Sequence, residues 1–412
     1  GKNATFEYAL NGIAAYVTDP AHEALRPEVR KGLLTALDRC TDNANRAFLF
    51  SQLQFCSTVA DAEAFVRYLD DSYLSDYALR ALISTPGTEQ ILLAQARREG
   101  LAPERKRALA YAFAEKRMTE AEPLLAQWLV GADAATAEQV YNALAVCGSR
   151  ASIKPLAAAA AGIGYGCDRT GATDAYLRLL ARLAAAGDAQ AVKAAKGLLK
   201  CDLTYVRGAA LGILVDALGA EKTMPYVLKA VKDGPAEYRY AALQSLGKGS
   251  DNLFAQLAAG MPRYDAGAQA AVIAWLGERG AVSQGDAITA AVASSDDCVA
   301  KAAIEASGRI GGQKALAALA GALEGPHAAA AMKALMAFNG PINPEVERLI
   351  AGNDARTLVP ALKLAAARRM NTVAERVFTL LEASDADVRA AAYAALPYVA
   401  GTQHLNRLAE LL

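Results

Sequence analysis

Histidine is nearly missing from this chain. Its 412 residues hold three, His22, His327 and His404, far apart and in no H-x-x-x-H or H-E-x-x-H spacing. That removes the usual acid–base and zinc constellations. Cysteine is sparse too: six residues, Cys40, Cys56, Cys147, Cys167, Cys201 and Cys298, with no C-x-x-C pair. A chain this long needs no stapling, so free core thiols are expected; bridges pairing Cys40 with Cys56 or Cys147 with Cys167 are the minor alternative. No apolar run approaches the roughly 20 residues that span a bilayer, so no membrane span is expected. A net charge is missing as well, with 43 Lys+Arg against 43 Asp+Glu. A nucleic-acid partner normally requires a basic excess, and none is expected; RREG at 97–100 and ERKR at 104–107 read as solvated helix ends. No G-x-S-x-G elbow is present. The carboxylate pairs Asp70-Asp71 and Asp296-Asp297 precede predicted helices, where capping accounts for them.

What is abundant is alanine, within a hydrophobic share of 54%. Alanine loses no rotamer freedom in a helix, and β-branched or aromatic runs of strand length are scarce. The chain reads as all-α. Apolar or small residues follow Val388 at +3, +4, +7 and +8, which is one face of a helix. The same face recurs from Val206, Tyr238 and Val299, and more weakly near Ala44, Leu74, Arg105, Ala137, Thr173, Ala268, Ala328 and Leu358. FEYALNGIAAYV near the start is a further imperfect copy, belonging to a first unit of about residues 1–40. The period is about 31 residues, which signals a solenoid. We therefore expect a right-handed α-α superhelix of about 13 helical pairs, running as one repeat array through 1–412. Each unit has a helix A, capped by an acidic residue such as Asp202, Asp297 or Asp387. A small-residue turn follows, Gly148-Ser149, Gly219-Ala220 or Gly311-Gly312, whose glycine accepts a left-handed conformation. Helix B then begins, with Pro123, Pro155 or Pro225 in its first turn.

The stretch AAIEASGRIGGQKALAALAGAL at 302–323 resembles the short HEAT-like repeats of the phycobilin-lyase type, whose pattern is matched best around Val299 and Val206. Basic residues after the anchors, Arg207, Arg239 and Arg389, lie close to Asp202, Glu237 and Asp387 and are similar to the Asp/Arg ladder of HEAT repeats. More loosely, ISTPGTEQ at 83–90 and ALKLAAARR at 361–369 resemble exported bacterial HEAT-repeat regions that precede a 3-keto-disaccharide-hydrolase-like domain. The first resemblance implies the fold. The second implies a scaffold part of a larger exported protein, periplasmic or in the cell envelope, with a cytoplasmic location left open. Gly1-Lys2 without a methionine is compatible with a longer natural chain and a removed export signal.

One segment departs from the pattern. GIGYGCDRTGATD at 162–174 occupies the widest gap between anchors, and reads as a lengthened inter-repeat loop. Loops concentrate functional groups, so Tyr165, Asp168 and Arg169 form the candidate contact loop. Tyr205, Tyr238 and Tyr240 fall near helix A starts and either seal the core edge or meet a partner. No catalytic, cofactor-binding or metal-binding residue is assigned, and no cofactor. The expected function is a non-catalytic scaffold, not an enzyme, binding a protein or another domain of the same polypeptide along the helix B face. The alternatives are an auxiliary module of a carbohydrate-active envelope enzyme, meeting carbohydrate through a partner domain, and a bilin-lyase-like enzyme.

Overall fold

The computed structural model describes residues 2–411. They form 26 α-helices joined by turns and short 3₁₀ segments, and no strand occurs among the described residues. In chain order the helices alternate as A and B, which makes thirteen pairs. The twelve anchors fall on the A helices, or immediately before one in the case of Leu74. The protein is an all-α, HEAT-like repeat fold.

Two compact bodies divide the chain, Gly1–Leu198 and Leu199–Leu412. In the first, successive A helices pack side by side from Asn43–Leu53 through Ser75–Ser84, Pro103–Glu115 and Ala134–Cys147 to Ala172–Ala185. In the second, the same stacking runs from Thr204–Leu218 to Ala386–Val399. One continuous apolar cluster extends through the second body from Leu211 to Val399. No single pair could enclose such a core, so stability comes from stacking.

Small residues set how closely the A helices approach. A methyl placed on Gly277 would lie 2.6 Å from Cβ of Ala306, and one on Gly308 would lie 3.0 Å from Cβ of Ala334. Long cations finish the helix ends. Lys116 donates to the Ile83 and Thr85 carbonyls at 3.2 and 3.0 Å, at the C-terminus of the preceding A helix. Arg182 reaches the Ala145 and Gly148 carbonyls, and Arg368 the Leu335 carbonyl, in the same way. The last carbonyls of a helix lack the N–H four residues on that interior ones have, and positive charge is favourable there.

Several local expectations are corrected. The capping oxygens belong to Asp296 and Asp385, each accepting from two backbone N–H groups, and not to Asp297 or Asp387. Leu203, and not Asp202, occupies the cap position of Thr204–Leu218. Pro225 lies inside Ala220–Asp233, beyond its first turn, because that helix starts directly after Gly219. Gly219, Gly311 and Gly312 do have positive φ, but Gly148 is extended. Glycine is needed at 148 for room: a Cβ would collide with the Leu144 carbonyl and Ser152. All six cysteines are free thiols, so neither Cys40–Cys56 nor Cys147–Cys167 is bridged.

Candidate functional site

Where two A helices lie side by side, their outward residues border a shallow groove. In the second body one such groove, about 340 Å³, separates Ala236–Ser245 from Ala266–Glu278. Gly267, Ala271 and Ala274 recur at helical spacing and leave the space open. Tyr240 stands beside it 66% exposed, and Glu278 supplies a carboxylate. Beneath lies Trp275, 2% exposed, packed edge-on against Phe254 at 5.7 Å. Its Nε1 has no hydrogen-bond partner. The Arg279 guanidinium sits 5.5 Å from the Trp275 ring centroid and donates to Gln244 at 2.7 Å. Arg239, only 9% exposed, is fixed by the Val231 carbonyl at 2.9 Å and by Asp265 of the next repeat at 3.4 Å. The acidic partner of Arg239 is thus Asp265 of the next repeat, and not Glu237 beside it in the sequence. Arg207 and Arg389 behave differently: Arg207 covers the Tyr238 ring at 4.7 Å, and Arg389 donates to the Ala383 and Ser384 carbonyls.

The arrangement repeats. Further along the second body a groove of about 500 Å³ has Glu305, Arg309 and Lys333 on its rim and Ala330, Ala334 and Ala337 along its length. In the first body one of about 410 Å³ is bordered by Asp76, Arg80, Glu104, Arg107 and Tyr111. Arg107 is held there by Glu104 at 2.9 Å and Asp133 of the next repeat at 3.7 Å. Its own backbone N–H, and then Arg107, hold the Glu104 carboxyl below the usual carboxylate range. The helix B face carries a cavity of about 480 Å³ in the second body, mostly apolar, beside Val292, Ala318, Ala322, Pro326 and His327. The small-residue floors of the second-body grooves, and the rims of both charges in both bodies, suit an extended polypeptide, whose backbone and alternating side chains meet both.

The residues singled out from sequence are scattered. In the loop between Ile153–Gly162 and Ala172–Ala185, Tyr165 is half-buried with φ of 59°, while Asp168 and Arg169 are exposed. The Asp168 carboxylate accepts from Thr170 N, Thr170 Oγ1 and Gly171 N at 3.0, 2.8 and 3.1 Å, which shapes the turn. Burial, and then the Asp168 charge, push the Tyr141 phenol up, so the loop lies near the preceding A helix. Tyr238 is buried while Tyr205 and Tyr240 are exposed, so one seals and two are accessible. His22 stacks on Tyr16 at 3.7 Å, and His327 lies 3.5 Å from Asp297. His404 lies deeper than the other two. It is buried, accepts from Gly401 N at 3.0 Å and pairs with Glu375 at 3.2 Å. Among the described residues no group of three or more His, Cys, Asp or Glu side chains could hold a metal ion. No helix there is long and apolar enough to cross a membrane.

The grooves between A helices were not anticipated. Their one sequence signal is a second small-residue face, Gly267, Ala271 and Ala274, running beside the buried face of Ala268, Val272 and Trp275.

No family model matches the chain, and neither does any curated protein. Among solved structures, an engineered protein is 19% identical over 90% of this chain and 98% of its own length, with a TM-score of 0.29. A Kap121p mutant is 13% identical over 99% of this chain, with a TM-score of 0.39. The chain spans about half the length of that Kap121p chain, matching 51% of it. Both are likenesses of helical architecture alone.

Proposed function

We propose that this chain is a non-catalytic scaffold whose A-helix face binds an extended segment of another protein, or of another domain of its own polypeptide. The supporting observation is the recurrence of grooves between A helices in both bodies, with rims of mixed charge throughout and small-residue floors in the second body. This moves the binding face from the B helices, expected from sequence, to the A helices. The Tyr165–Asp168–Arg169 loop is a secondary contact in this proposal. An exported, envelope location within a larger bacterial protein belongs to it as well, and rests on the looser family resemblance.

The test is selection of peptides from a displayed random library, followed by anisotropy titration of the synthetic binders. Tyr240→Ala and Ala274→Glu should each weaken binding at least 10-fold (about 1.4 kcal/mol). Binders unaffected by both, and by Tyr111→Ala in the first body, would remove the proposal. The exposed Tyr240 ring also favours a second reading, auxiliary carbohydrate handling, in which a sugar face stacks on the phenol. A glycan array bound through Tyr240 with no peptide selected would establish that reading instead.

A further inference from the structure

The groove between Ala236–Ser245 and Ala266–Glu278 is unlike at its two ends, and we infer that it selects a segment carrying a lysine or arginine. This rests on the scaffold proposal and says what one groove would recognise. Arg239 and Gly267 border one end of it, Gln244 and Glu278 the other. Gly267 and Glu278 stand eleven positions apart on one helix, about 16 Å at 1.5 Å per residue.

At the first end the positive charge is already met. Arg239 donates through Nε to the Val231 carbonyl at 2.9 Å. Through Nη2 it donates to the Gly234 carbonyl and the Asp265 carboxylate at 3.3 and 3.4 Å. Nη1 takes part in none of these bonds. It lies beside the open space at Gly267, where an added methyl would stand 3.1 Å from Nη1 and 3.5 Å from Oδ1 of Asp265. An anion placed there would meet the Asp265 charge, whereas a neutral main-chain carbonyl meets only the free N–H groups. The other end is short of positive charge. The Glu278 side chain is 45% exposed, and its ion pair with Arg309 is stretched to 3.9 Å. Arg279, next in the chain, is turned to Gln244 at 2.7 Å. Tyr240, 66% exposed, borders the same groove and offers a cation the face of its ring. An extended chain advances about 3.3 Å per residue. The carbonyl held by Arg239 and the basic residue paired with Glu278 would therefore lie about five residues apart. The groove of about 500 Å³ presents Arg309 and Lys333 against Glu305 alone, so the preference belongs to the first groove and not to every one.

Selection from a displayed random library, run in parallel on the unmodified chain and on Glu278→Lys, tests this. Among peptides that lose binding with Tyr240→Ala, those taken by the unmodified chain should be enriched in lysine or arginine at one position. Those taken by Glu278→Lys should carry aspartate or glutamate there instead. By anisotropy, Glu278→Gln should weaken a selected basic peptide about 5-fold. Glu278→Lys should weaken it at least about 10-fold, and exchanging the peptide's basic residue for glutamate should recover the loss. Gly267→Ala, which closes the approach to Arg239 Nη1, should weaken binding about 5-fold whatever the peptide's charge. Gly212→Ala, whose methyl meets nothing within 4 Å, should leave binding unchanged. Tyr240-dependent peptides without a basic preference, or with one that Glu278→Lys does not reverse, would overturn the inference and leave the scaffold proposal standing. Full binding by Gly267→Ala would overturn the part given to Arg239. A selection that yields no peptide removes both the inference and the proposal.

Discussion

Gly277 and Gly212 offer the same substitution with opposite expected results. Both lie inside A helices of the second body, Ala266–Glu278 and Thr204–Leu218. Replacing either by alanine gains about 1 kcal/mol of helix propensity. At Gly212 the new methyl meets nothing within 4 Å, so that gain should appear undiminished. At Gly277 it would stand 2.6 Å from Cβ and 2.7 Å from Cα of Ala306. Comfortable carbon–carbon separation is about 3.5–4.0 Å, so the two helices would have to part by roughly an ångström. Overpacking of that kind costs about 1–3 kcal/mol. Gly277→Ala should therefore be less stable than Gly212→Ala by about 1–3 kcal/mol, a difference from which the propensity cancels. Repeat arrays depart from two-state unfolding, so local amide exchange in Ala266–Glu278 and Asp297–Ile310 should accompany urea denaturation. If Gly277→Ala stabilises the chain as much as Gly212→Ala, close approach of these helices is not what the glycine provides.

Burial pushes the thiols of Cys56 and Cys147 up to about 11. At pH 8 the exposed Cys167 and Cys298 should react quickly with a disulfide reagent, and Cys56 and Cys147 only after unfolding; early labelling of Cys147 would contradict the packing. Asp71, Asp133 and Asp188 are held below the usual carboxylate range, chiefly by backbone N–H groups of Leu74, Thr136 and Ala191. Carboxyls lowered on folding contribute stability that is complete above the unfolded value, about 4, and is lost as pH falls through the depressed one. The urea midpoint should hold from pH 7 to 5 and drop below about pH 4; a rise on acidification would refute this. Asp265 caps its helix through Ala268 N at 2.6 Å and pairs with Arg239. Asp265→Ala should cost about 1–2 kcal/mol by denaturation, with Asp265→Asn recovering most of it if the cap dominates.

Much of the fold was legible because burial on one helical face obliges a spacing. Val299, Ala303, Ala306 and Ser307 are buried as their register required, and so are Val388, Ala392, Ala395 and Leu396. The caps were displaced by a residue or two because Asp296-Asp297 and Asp385-x-Asp387 offer two carboxylates each, and only backbone geometry chooses between them. The burial of His404 depends on Glu375, Phe378 and the Gly401 turn, contacts that no local pattern records. The division after Leu198 left no mark in the period. The candidate site was illegible for another reason. A groove belongs to two helices about 30 residues apart, and its shape depends on which faces adjoin.

The cations at helix ends bear on how such a chain can be cut or lengthened. Lys116, Arg182 and Arg368 each complete the carbonyl end of a helix belonging to the tile before their own. A tile excised alone would lose the visitor that finishes its helix, while its own long side chain would dangle. Shortening the chain by a whole period lets another visitor arrive in register, provided the replacement also carries lysine or arginine at that place. Removing half a period strands carbonyls on one side of the scar and a charge on the other.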